Sequence, residues 1–423
     1  MSLTRKPLGY LAIAYAFIFL SLAFRASWLA VFVLPIAVLL FASLGPLQVE
    51  PFPLSITRQM RPSRSLGGED VTIILTVKSN SPHFLHSFVV QDKLPDALKL
   101  GGGTNRMVLS LRSGESTSFE YQISKPRRGS YEIGPTMVRF SGNLGLRTAT
   151  VQLSNIDELL VLPQIERLGV VDLKGKRFGP WPGLVPSRRI GIGTEFFEIA
   201  PYVPGVDLRR VNWKASARYG TLVTNEFEGE QVIDVLVVLD CSEALSSELF
   251  DYDALEFQVN FAASLCSQLI MQGNRVGLTV YGAVRTWLSL GFGKRHLLRL
   301  LDGLALVKPG PATLPIRYVV ESVVSAILPT RSLVILISPL LRDEVADMIE
   351  GVAMKGYKLV CFTPSIRANL GGTSESSKIA RRILAGERKL RIMRVKRMSD
   401  LIPLSPELPI KPLLRMRGRW NQA

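Results

Sequence analysis

The chain has 423 residues; 47% of them are hydrophobic, 20% are charged, and 51 basic against 35 acidic side chains give a formal net charge of +16. This composition is too apolar for an intrinsically disordered protein and too charged for a chain that lies mostly inside a bilayer, while the length allows two or three folded units. Three cysteines and three histidines exclude a disulfide framework and a Cys/His-rich zinc site.

The first 49 residues contain two apolar runs. Residues 7–24 carry no charge, Arg25 interrupts them, and a second uncharged run covers residues 26–49. Each run is close to the ~20 residues of a membrane-spanning helix, so the sequence predicts a transmembrane hairpin over 1–49, with helices at about 8–24 and 27–46. A cleaved signal peptide and a soluble helix pair are the alternatives, but the second run follows at once and neither run has a polar face.

Basic residues flank the outer ends of both apolar runs, whereas Arg25 stands alone at the turn between them. The positive-inside rule therefore predicts a two-pass protein of the cell membrane whose soluble domains are cytoplasmic.

Residues 55–162 alternate short β-branched or aromatic runs with turn-forming segments. The predicted strands are Val71–Val77, Phe88–Asp92, Met107–Leu111, Ser116–Ile123, Met137–Phe140 and Thr148–Leu153. This spacing predicts an immunoglobulin-like β-sandwich over 55–162. The following residues, 163–231, are predicted to be a linker and a loop, because 163–192 are rich in Gly, Pro and basic residues.

From residue 232 onward, strand-like and helix-like runs alternate. The predicted strands are Val232–Leu239, Arg275–Tyr281, Thr286–Leu290, Ser332–Ile337 and Lys358–Phe362, and the predicted helices are Asp253–Gln272, Lys294–Leu304, Ile316–Leu328 and Asp343–Lys355. Apolar strands between amphipathic helices predict a doubly wound, mostly parallel α/β domain over 232–375. The predicted fold class is therefore multi-domain, with a helical hairpin, a β-sandwich and an α/β domain.

The most specific part of the sequence lies at 193–228. It contains Gly193-Thr194-Glu195-Phe196, Pro201-Tyr202-Val203-Pro204-Gly205, Asp207, Arg209-Arg210, Asn212-Trp213-Lys214 and Ala215-Ser216-Ala217-Arg218, and it ends in Leu222, Asn225, Glu226 and Glu228. This segment resembles the signature of the domain-of-unknown-function family fifty-eight. Members of that family resemble von Willebrand factor A domains, which are Rossmann-like, and many carry an N-terminal membrane hairpin. The resemblance implies a non-enzymatic partner of MoxR-type AAA+ ATPases.

The charges and aromatic rings of this segment have two interpretations. Arginine–carboxylate pairs can fix the geometry of a loop, so an ion-pair network is one of them. A surface that binds a partner directly is the other. The residues predicted for such a surface are Glu195, Tyr202, Asp207, Arg209, Trp213 and Arg218.

The resemblance also implies a position for a metal ion. Von Willebrand A domains hold Mg²⁺ or Mn²⁺ through an Asp-x-Ser-x-Ser strand end, a threonine, and an aspartate after the central strand. Asp240 and Ser242 match the first two positions and Thr313 lies near the threonine position, but Ala244 replaces the second serine and the aspartate is missing after Ile337. The prediction is a degenerate Mg²⁺ or Mn²⁺ site, and the alternative is that Asp240 only makes local hydrogen bonds at the strand end.

Residues 376–423 are predicted to be a basic C-terminal extension. Residues 378–423 carry a net charge of +10, and a basic helix is predicted at Ser376–Leu390. Such a tail can lie on anionic lipid, where each cation contributes ~1 kcal/mol, or it can be a solvated extension. No motif supports nucleic-acid binding, so nucleic acid is not an expected partner.

The leading functional hypothesis is a membrane-anchored, non-enzymatic adaptor protein that partners a MoxR-type AAA+ ATPase in protein assembly or maturation, with the lipid bilayer as its other partner. The sequence has no phosphate-binding loop and no recognisable nucleophile with its base. A cell-envelope scaffold or adhesion protein with its domains outside is the alternative. A hydrolase is a third hypothesis, and it would require that mutation of Asp240 or Asp207 abolish an activity.

Overall fold

A computed structural model describes residues 2–3, 6–42, 52–141, 146–168, 196–204, 207–227, 232–242, 253–282, 286–311, 314–329, 332–365 and 375–405. The chain divides into two compact units, Met1–Gln164 with Leu304–Leu306, and Ile165–Gly303 with Val307–Ala423. The first unit contains sandwich-like β-sheets and the second a mixed α/β sheet. The prediction of a multi-domain protein with these two kinds of architecture is therefore confirmed.

The N-terminal apolar runs are helical, but the described helices do not support the predicted pair of membrane-spanning helices. Helix α1 covers Lys6–Ala23, a 3-10 helix covers Ser27–Phe32, and α2 covers Val33–Ala42. Within the described part of the chain, no helix combines the length and the apolarity needed to cross a membrane.

The second apolar run is divided near Pro35. Proline lacks a backbone N–H and is tolerated in the first turn of a helix, where that N–H has no intrahelical partner. Pro35 lies in the first turn of α2, so an α-helix starts there instead of continuing through the run. The predicted helix at 27–46 is thus replaced by a 3-10 segment and a short helix, and residues 43–50 lie outside the described residues.

The strands of the first unit form three sheets. Their ranges are β1 (Ser2–Leu3), β2 (Leu54–Arg61), β3 (Arg64–Leu66), β4 (Val71–Ser79), β5 (Leu85–Asp92), β6 (Leu100–Gly103), β7 (Arg106–Leu111), β8 (Ser116–Ile123), β9 (Gly129–Ile133), β10 (Thr136–Ser141), β11 (Arg147–Leu153) and β12 (Asp157–Leu162). The strand orders are β2-β4-β8-β6, β1-β11-β10-β5-β7 and β3-β12-β9. Alternate residues of β4, from Val71 to Val77, are fully buried in a common apolar core, which explains the alternation in the sequence.

A buried ion pair connects these three sheets. The Arg58 guanidinium donates to both carboxylate oxygens of Asp92, at 2.6 and 2.9 Å, and to Asp157 at 2.5 Å. The hydroxyl of Tyr121 donates to the same Asp92 carboxylate at 2.7 Å. Burial, with the neighbouring Asp92 charge, raises the pKa of Tyr121. Because these side chains come from β2, β5, β8 and β12, they tie the sandwich together.

The elements of the second unit begin with a hairpin and continue as a six-stranded sheet. Their ranges are β13 (Phe196–Pro201), α3 (Trp213–Tyr219), β14 (Val223–Phe227), β15 (Asp234–Cys241), α4 (Ala254–Met271), β16 (Arg275–Gly282), β17 (Thr286–Gly291), α5 (Lys294–Ala305), α6 (Ile316–Ile327), β18 (Leu333–Ile337), α7 (Asp343–Met354), β19 (Lys358–Pro364), α8 (Glu375–Val395) and β20 (Asp400–Leu404). The sheet order is β17-β16-β15-β18-β19-β20. Strand β17 is antiparallel and the others are parallel, so the prediction of a mostly parallel sheet is confirmed.

Helices cover both faces of this sheet. Phe261 of α4 packs against Phe362 of β19, with ring centroids 4.9 Å apart. On the other face, Cys361 belongs to a buried cluster with Val320 of α6 and Met348 of α7. Two covered faces explain why the strands are apolar at nearly every position.

All three cysteines are buried in the second unit, as expected for small apolar side chains. Burial raises the pKa of the Cys266 and Cys361 thiols to about 12. These thiols are therefore protonated near neutral pH.

The α/β sheet continues beyond the predicted boundary at residue 375. Strand β20 pairs in parallel with β19, with Leu401 opposite Cys361, and α8 contains the basic helix predicted at Ser376–Leu390. The sequence does not predict this strand because it contains Pro403, and proline argues against a strand in the interior of a sheet. Strand β20 lies at the edge of the sheet, where proline is tolerated. Much of the predicted basic extension thus belongs to the folded unit, and residues 406–423 lie outside the described residues.

Candidate functional site

The segment with the family signature forms a β-hairpin with a helix between its strands. Strand β13 pairs antiparallel with β14, from Pro201 opposite Val223 to Phe196 opposite Phe227. A 3-10 helix at Leu208–Arg210 and helix α3 lie in the connection. We call residues 196–227 the signature hairpin; its strands and helix differ from the loop that the sequence predicts here.

Neutral polar side chains hold the signature hairpin together. Asn212 Oδ1 accepts a hydrogen bond from the N–H of Ala215 at 3.0 Å and caps α3, while Asn212 Nδ2 donates to Oδ1 of Asn225 at 2.9 Å. The hydroxyl of Ser216 accepts a hydrogen bond from the N–H of Val223 at 3.0 Å and donates to the carbonyl of Asn212 at 2.9 Å. These contacts join α3 to β14. Sequence reasoning did not single out any of these residues as structural.

The charged side chains of the signature hairpin have a different role. Asp207 accepts a hydrogen bond from the backbone N–H of Arg209 at 3.0 Å and so caps the 3-10 helix. No ion pair joins the charged side chains of residues 207–218 to one another or to other described residues. Of the two interpretations of these charges, the ion-pair network therefore has no support from the described contacts.

The signature hairpin presents an apolar and basic surface. Its exposed large apolar side chains are Ile199, Val203, Leu208, Trp213, Tyr219 and Leu222. Its exposed cations are Arg209, Lys214 and Arg218. We call this set of residues the hairpin surface. Trp213 is 65% exposed, and tryptophan and arginine are residue types that are enriched among the side chains contributing most to binding at protein interfaces.

The predicted partner-binding residues lie in this hairpin with one exception. Asp207, Arg209, Trp213 and Arg218 are exposed, Tyr202 is half-buried, and Glu195 lies outside the described residues. The prediction missed Val203, Leu208 and Tyr219, since isolated apolar residues in a presumed loop carry no periodic signal.

Asp240 lies at the carboxyl end of β15 and is almost completely buried. Its Oδ2 accepts a hydrogen bond from the hydroxyl of Ser338 at 2.7 Å, and its Oδ1 accepts one from the N–H of Ser242 at 3.2 Å. Burial raises the pKa of Asp240, and the hydrogen bonds from Ser338 and Ser242 act against that effect. The carboxylate therefore joins the ends of β15 and β18.

The chain that follows β18 is fixed by the same serine and by α8. The Ser338 hydroxyl accepts a hydrogen bond from the N–H of Leu340 at 3.2 Å, and Leu340 has a φ of 55°, which is uncommon for a residue other than glycine. Arg388 of α8 donates to the carbonyl of Pro339 at 2.7 Å and to Oγ1 of Thr363 at 2.9 Å. Protein groups thus occupy the ends of β18 and β19.

The described residues at the strand ends do not by themselves fit a Mg²⁺ or Mn²⁺ site. Asp240 and Ser242 lie together as predicted, but Thr313 and Ala244 lie outside the described residues. In the described part of the chain, no group of three or more His, Cys, Asp or Glu side chains is arranged to hold a metal ion. Such ions require several oxygen ligands, usually with more than one carboxylate. The contacts of Asp240 agree with its alternative role in local hydrogen bonding, and the metal site stays a prediction.

Comparison with known proteins confirms the family resemblance. Residues 198–361 match the family model described as "Protein of unknown function DUF58". This match begins inside the signature hairpin and ends in β19, so it covers the hairpin surface and Asp240.

Two relatives that are described as uncharacterized are similar to part of this chain. The uncharacterized protein YeaD of Bacillus subtilis is 24% identical over 269 residues, which are 63% of this chain and 65% of YeaD. The uncharacterized protein Rv1480 of Mycobacterium tuberculosis is 28% identical over 141 residues, which are 33% of this chain and 43% of Rv1480. The chain thus spans less than two thirds of the length of each relative.

Two solved structures are similar to part of this chain. The SpRpn10 VWA domain has a TM-score of 0.29 and 9% identity, covering 44% of this chain and 96% of that one. The alpha-2-macroglobulin of Escherichia coli, from domain MG7 to its C-terminus, has a TM-score of 0.23 and 16% identity, covering 27% of this chain and 17% of that one.

Proposed function

We propose that this chain is a non-enzymatic adaptor protein that binds an AAA+ ATPase of the MoxR type through the hairpin surface, in protein assembly or maturation. The class of partner comes from the family resemblance, which the match over residues 198–361 supports. The binding site comes from the geometry of the signature hairpin. The observation that carries the proposal is the exposure of Trp213, Arg209 and Arg218 in a hairpin that other residues hold together.

The division of labour within the hairpin supports binding. Asn212 and Ser216 make the hydrogen bonds that fix the fold, so the hairpin needs no contact from Trp213, Arg209 or Arg218 to keep its shape. A tryptophan side chain has only two rotatable bonds and loses little conformational freedom when a partner covers it, and an arginine can form a bidentate pair with a carboxylate of the partner. The hairpin surface is therefore suited to recognition.

The strand ends offer less support for a hydrolase. Both carboxylate oxygens of Asp240 accept hydrogen bonds from Ser338 and Ser242, and burial leaves this side chain almost no contact with solvent. Asp207, the other carboxylate named for that hypothesis, caps a 3-10 helix. Burial therefore keeps the Asp240 carboxylate from a substrate, whereas the exposed Asp207 serves as a helix cap.

We also propose that the N-terminal segment attaches the protein to a lipid bilayer, with the two units on the cytoplasmic side. The segment exposes many large apolar side chains, namely Leu8, Leu11, Tyr15, Phe19, Leu22, Phe24, Trp28, Val31, Leu34, Val38 and Phe41. Monomeric soluble proteins rarely expose a continuous apolar region of this kind. A reporter fused to the C-terminus, or protease treatment of sealed membranes, tests on which side of the membrane the units lie. Digestion of the units by a protease added to the periplasmic or outer face would contradict the cytoplasmic location.

The partner is tested by affinity purification of the full chain from native membranes. We expect an AAA+ ATPase to co-purify with the wild type and to be lost with Trp213→Ala combined with Arg218→Glu. Trp287→Ala is the matched control, because Trp287 is 54% exposed on β17 of the same unit and should retain the ATPase. Absence of an AAA+ ATPase from the wild-type sample, or its presence with the hairpin variant, would contradict the proposal.

A further inference from the structure

Helix α8 is held firmly on the α/β unit by one of its faces. On that face Arg388 and Val395 are buried. Arg391 Nε lies 2.5 Å from Oδ1 of Asp343, and Arg394 Nη1 lies 2.9 Å from Oδ1 of Asp347, so both pair with α7. Several of the cations that contribute to the net charge of the predicted extension therefore hold α8 on the α/β unit.

The opposite face of α8 carries an apolar stripe that no described element covers. Its residues are Ile379, Ile383, Leu390 and Met393, and each is more than half exposed. At 100° per residue they lie between ~140° and ~220° from Arg388 around the helix axis. We call these four residues the outer stripe. Exposed Arg382 and Lys389 lie along one side of it.

We infer that the outer stripe of α8 lies on an anionic lipid surface. Apolar side chains in a row, bordered by cations on long flexible stems, suit the boundary between acyl chains and anionic headgroups. In the attachment proposed above, the N-terminal segment supplies an apolar contact with the bilayer. Helix α8 adds a second contact, whose strength depends on the charge of the lipid. This inference does not rest on the AAA+ partner, and it moves the predicted lipid contact from the basic tail to one face of one helix.

Charge argues against the other occupants that the chain itself offers. If a second copy covered the stripe with its own α8, Arg382 and Lys389 of one copy would lie near the same two cations of the other copy and repel them. The C-terminal residues 406–423 contain four basic residues and one acidic residue, so they too would be repelled. Anionic headgroups instead attract each cation near the surface by ~1 kcal/mol.

A single fluorescent probe on the full chain tests this contact. We replace Met393→Cys and label it with an environment-sensitive, thiol-reactive dye; Met354→Cys, at a position 80% exposed at the end of α7, is the matched control. The native thiols are buried and do not compete for the dye. Vesicles of phosphatidylcholine alone are compared with vesicles of phosphatidylcholine and phosphatidylglycerol.

The expected result is a blue shift at position 393, with protection from an aqueous quencher, only when phosphatidylglycerol is present, and no shift at position 354. An unchanged probe at 393 on vesicles to which the protein has bound overturns the inference. So does an equal shift on phosphatidylcholine alone. A shift with soluble polyglutamate would indicate an acidic protein partner, and a shift with rising protein concentration without vesicles would indicate a second copy; each overturns it.

Charge reversal separates this contact from membrane attachment as such. Arg382→Glu with Lys389→Glu should weaken the phosphatidylglycerol-dependent response at least ~10-fold. Lys294→Glu with Arg299→Glu, which changes the net charge equally on exposed positions of α5, should leave it intact. Co-sedimentation of the same samples with phosphatidylcholine vesicles measures the N-terminal attachment alone. Loss of that attachment is thereby distinguished from loss of the α8 contact, which the probe at position 393 reports. Equal loss with both charge variants would overturn the inference.

Discussion

The hydroxyl oxygen of Ser216 lies 3.0 Å from the backbone nitrogen of Val223 and accepts its hydrogen bond, which joins α3 to β14 of the signature hairpin. Both residues are buried. In the same helix, Trp213 and Arg218 are exposed. One short helix thus carries a buried side chain that stabilises the hairpin and exposed side chains that belong to the proposed binding surface.

Replacing Ser216 should therefore cost stability. Ser216→Ala leaves the buried N–H of Val223 without a partner, and we expect the free energy of unfolding of the hairpin to fall by ~1–3 kcal/mol. Hydrogen exchange at the Val223 amide measures this directly. Arg218→Ala is the control and should change stability by less than ~0.5 kcal/mol; equal protection of Val223 in both variants would show that the serine bond has no structural role.

The buried ion pair of the first unit should be far more sensitive than an exposed one. Asp92→Asn leaves the Arg58 guanidinium buried without its main counter-charge, and we expect ~3–5 kcal/mol of destabilisation in urea denaturation. Asp234→Asn is the matched control, because it removes the partner of Arg275, which is 47% exposed, and should cost at most ~1 kcal/mol. Similar losses in both variants would contradict the importance of burial.

Native thiol reactivity should stay low well above neutral pH. An ordinary cysteine, with a pKa of ~8.5, is mostly thiolate at pH 9, but burial raises the pKa of Cys266 and Cys361 to about 12. We expect no thiol to react with a disulfide reagent between pH 7 and pH 9 in the folded protein, and all of them to react in guanidinium chloride. Rapid reaction of the native protein at pH 9 would place at least one thiol in contact with solvent.

The chemistry of Asp240 can be tested with metal ions. The carboxylate oxygens already accept hydrogen bonds from Ser338 and Ser242, so we expect calorimetric titration with Mg²⁺ and Mn²⁺ to show no micromolar binding. Micromolar binding that Asp240→Ala abolishes would establish the degenerate metal site instead. Ser338→Ala is a useful second variant, because it should weaken the junction of β15 and β18 without removing the carboxylate.

The sequence predicts those parts of the fold whose signals are local. The apolar run Ser332–Ile337 marks β18 to within one residue, because a strand covered on both faces must be apolar throughout. The pairing of Arg58 with Asp92 has no such signal, because 34 positions separate the two residues. Strand β20 was missed because Pro403 lies inside it.

The candidate site was predicted in part. The motif at 193–228 located the signature hairpin, and Trp213, Arg209 and Arg218 are exposed in it. Charge density suggested ion pairs as one interpretation, whereas Asn212 and Ser216 hold the hairpin through contacts with β14. Such contacts depend on tertiary proximity, which spacing along the chain does not reveal.

The most direct test of the proposed function is the affinity of the purified full chain for an AAA+ ATPase of the MoxR type. We predict that Trp213→Ala weakens binding by at least ~30-fold, as expected for an interface centre contributing ~2 kcal/mol or more, while Trp287→Ala serves as the surface control. The prediction for Trp287→Ala is unchanged affinity. Equal affinity of the wild type and the Trp213→Ala variant, with the fold of both intact, would contradict the claim that the hairpin surface binds the partner.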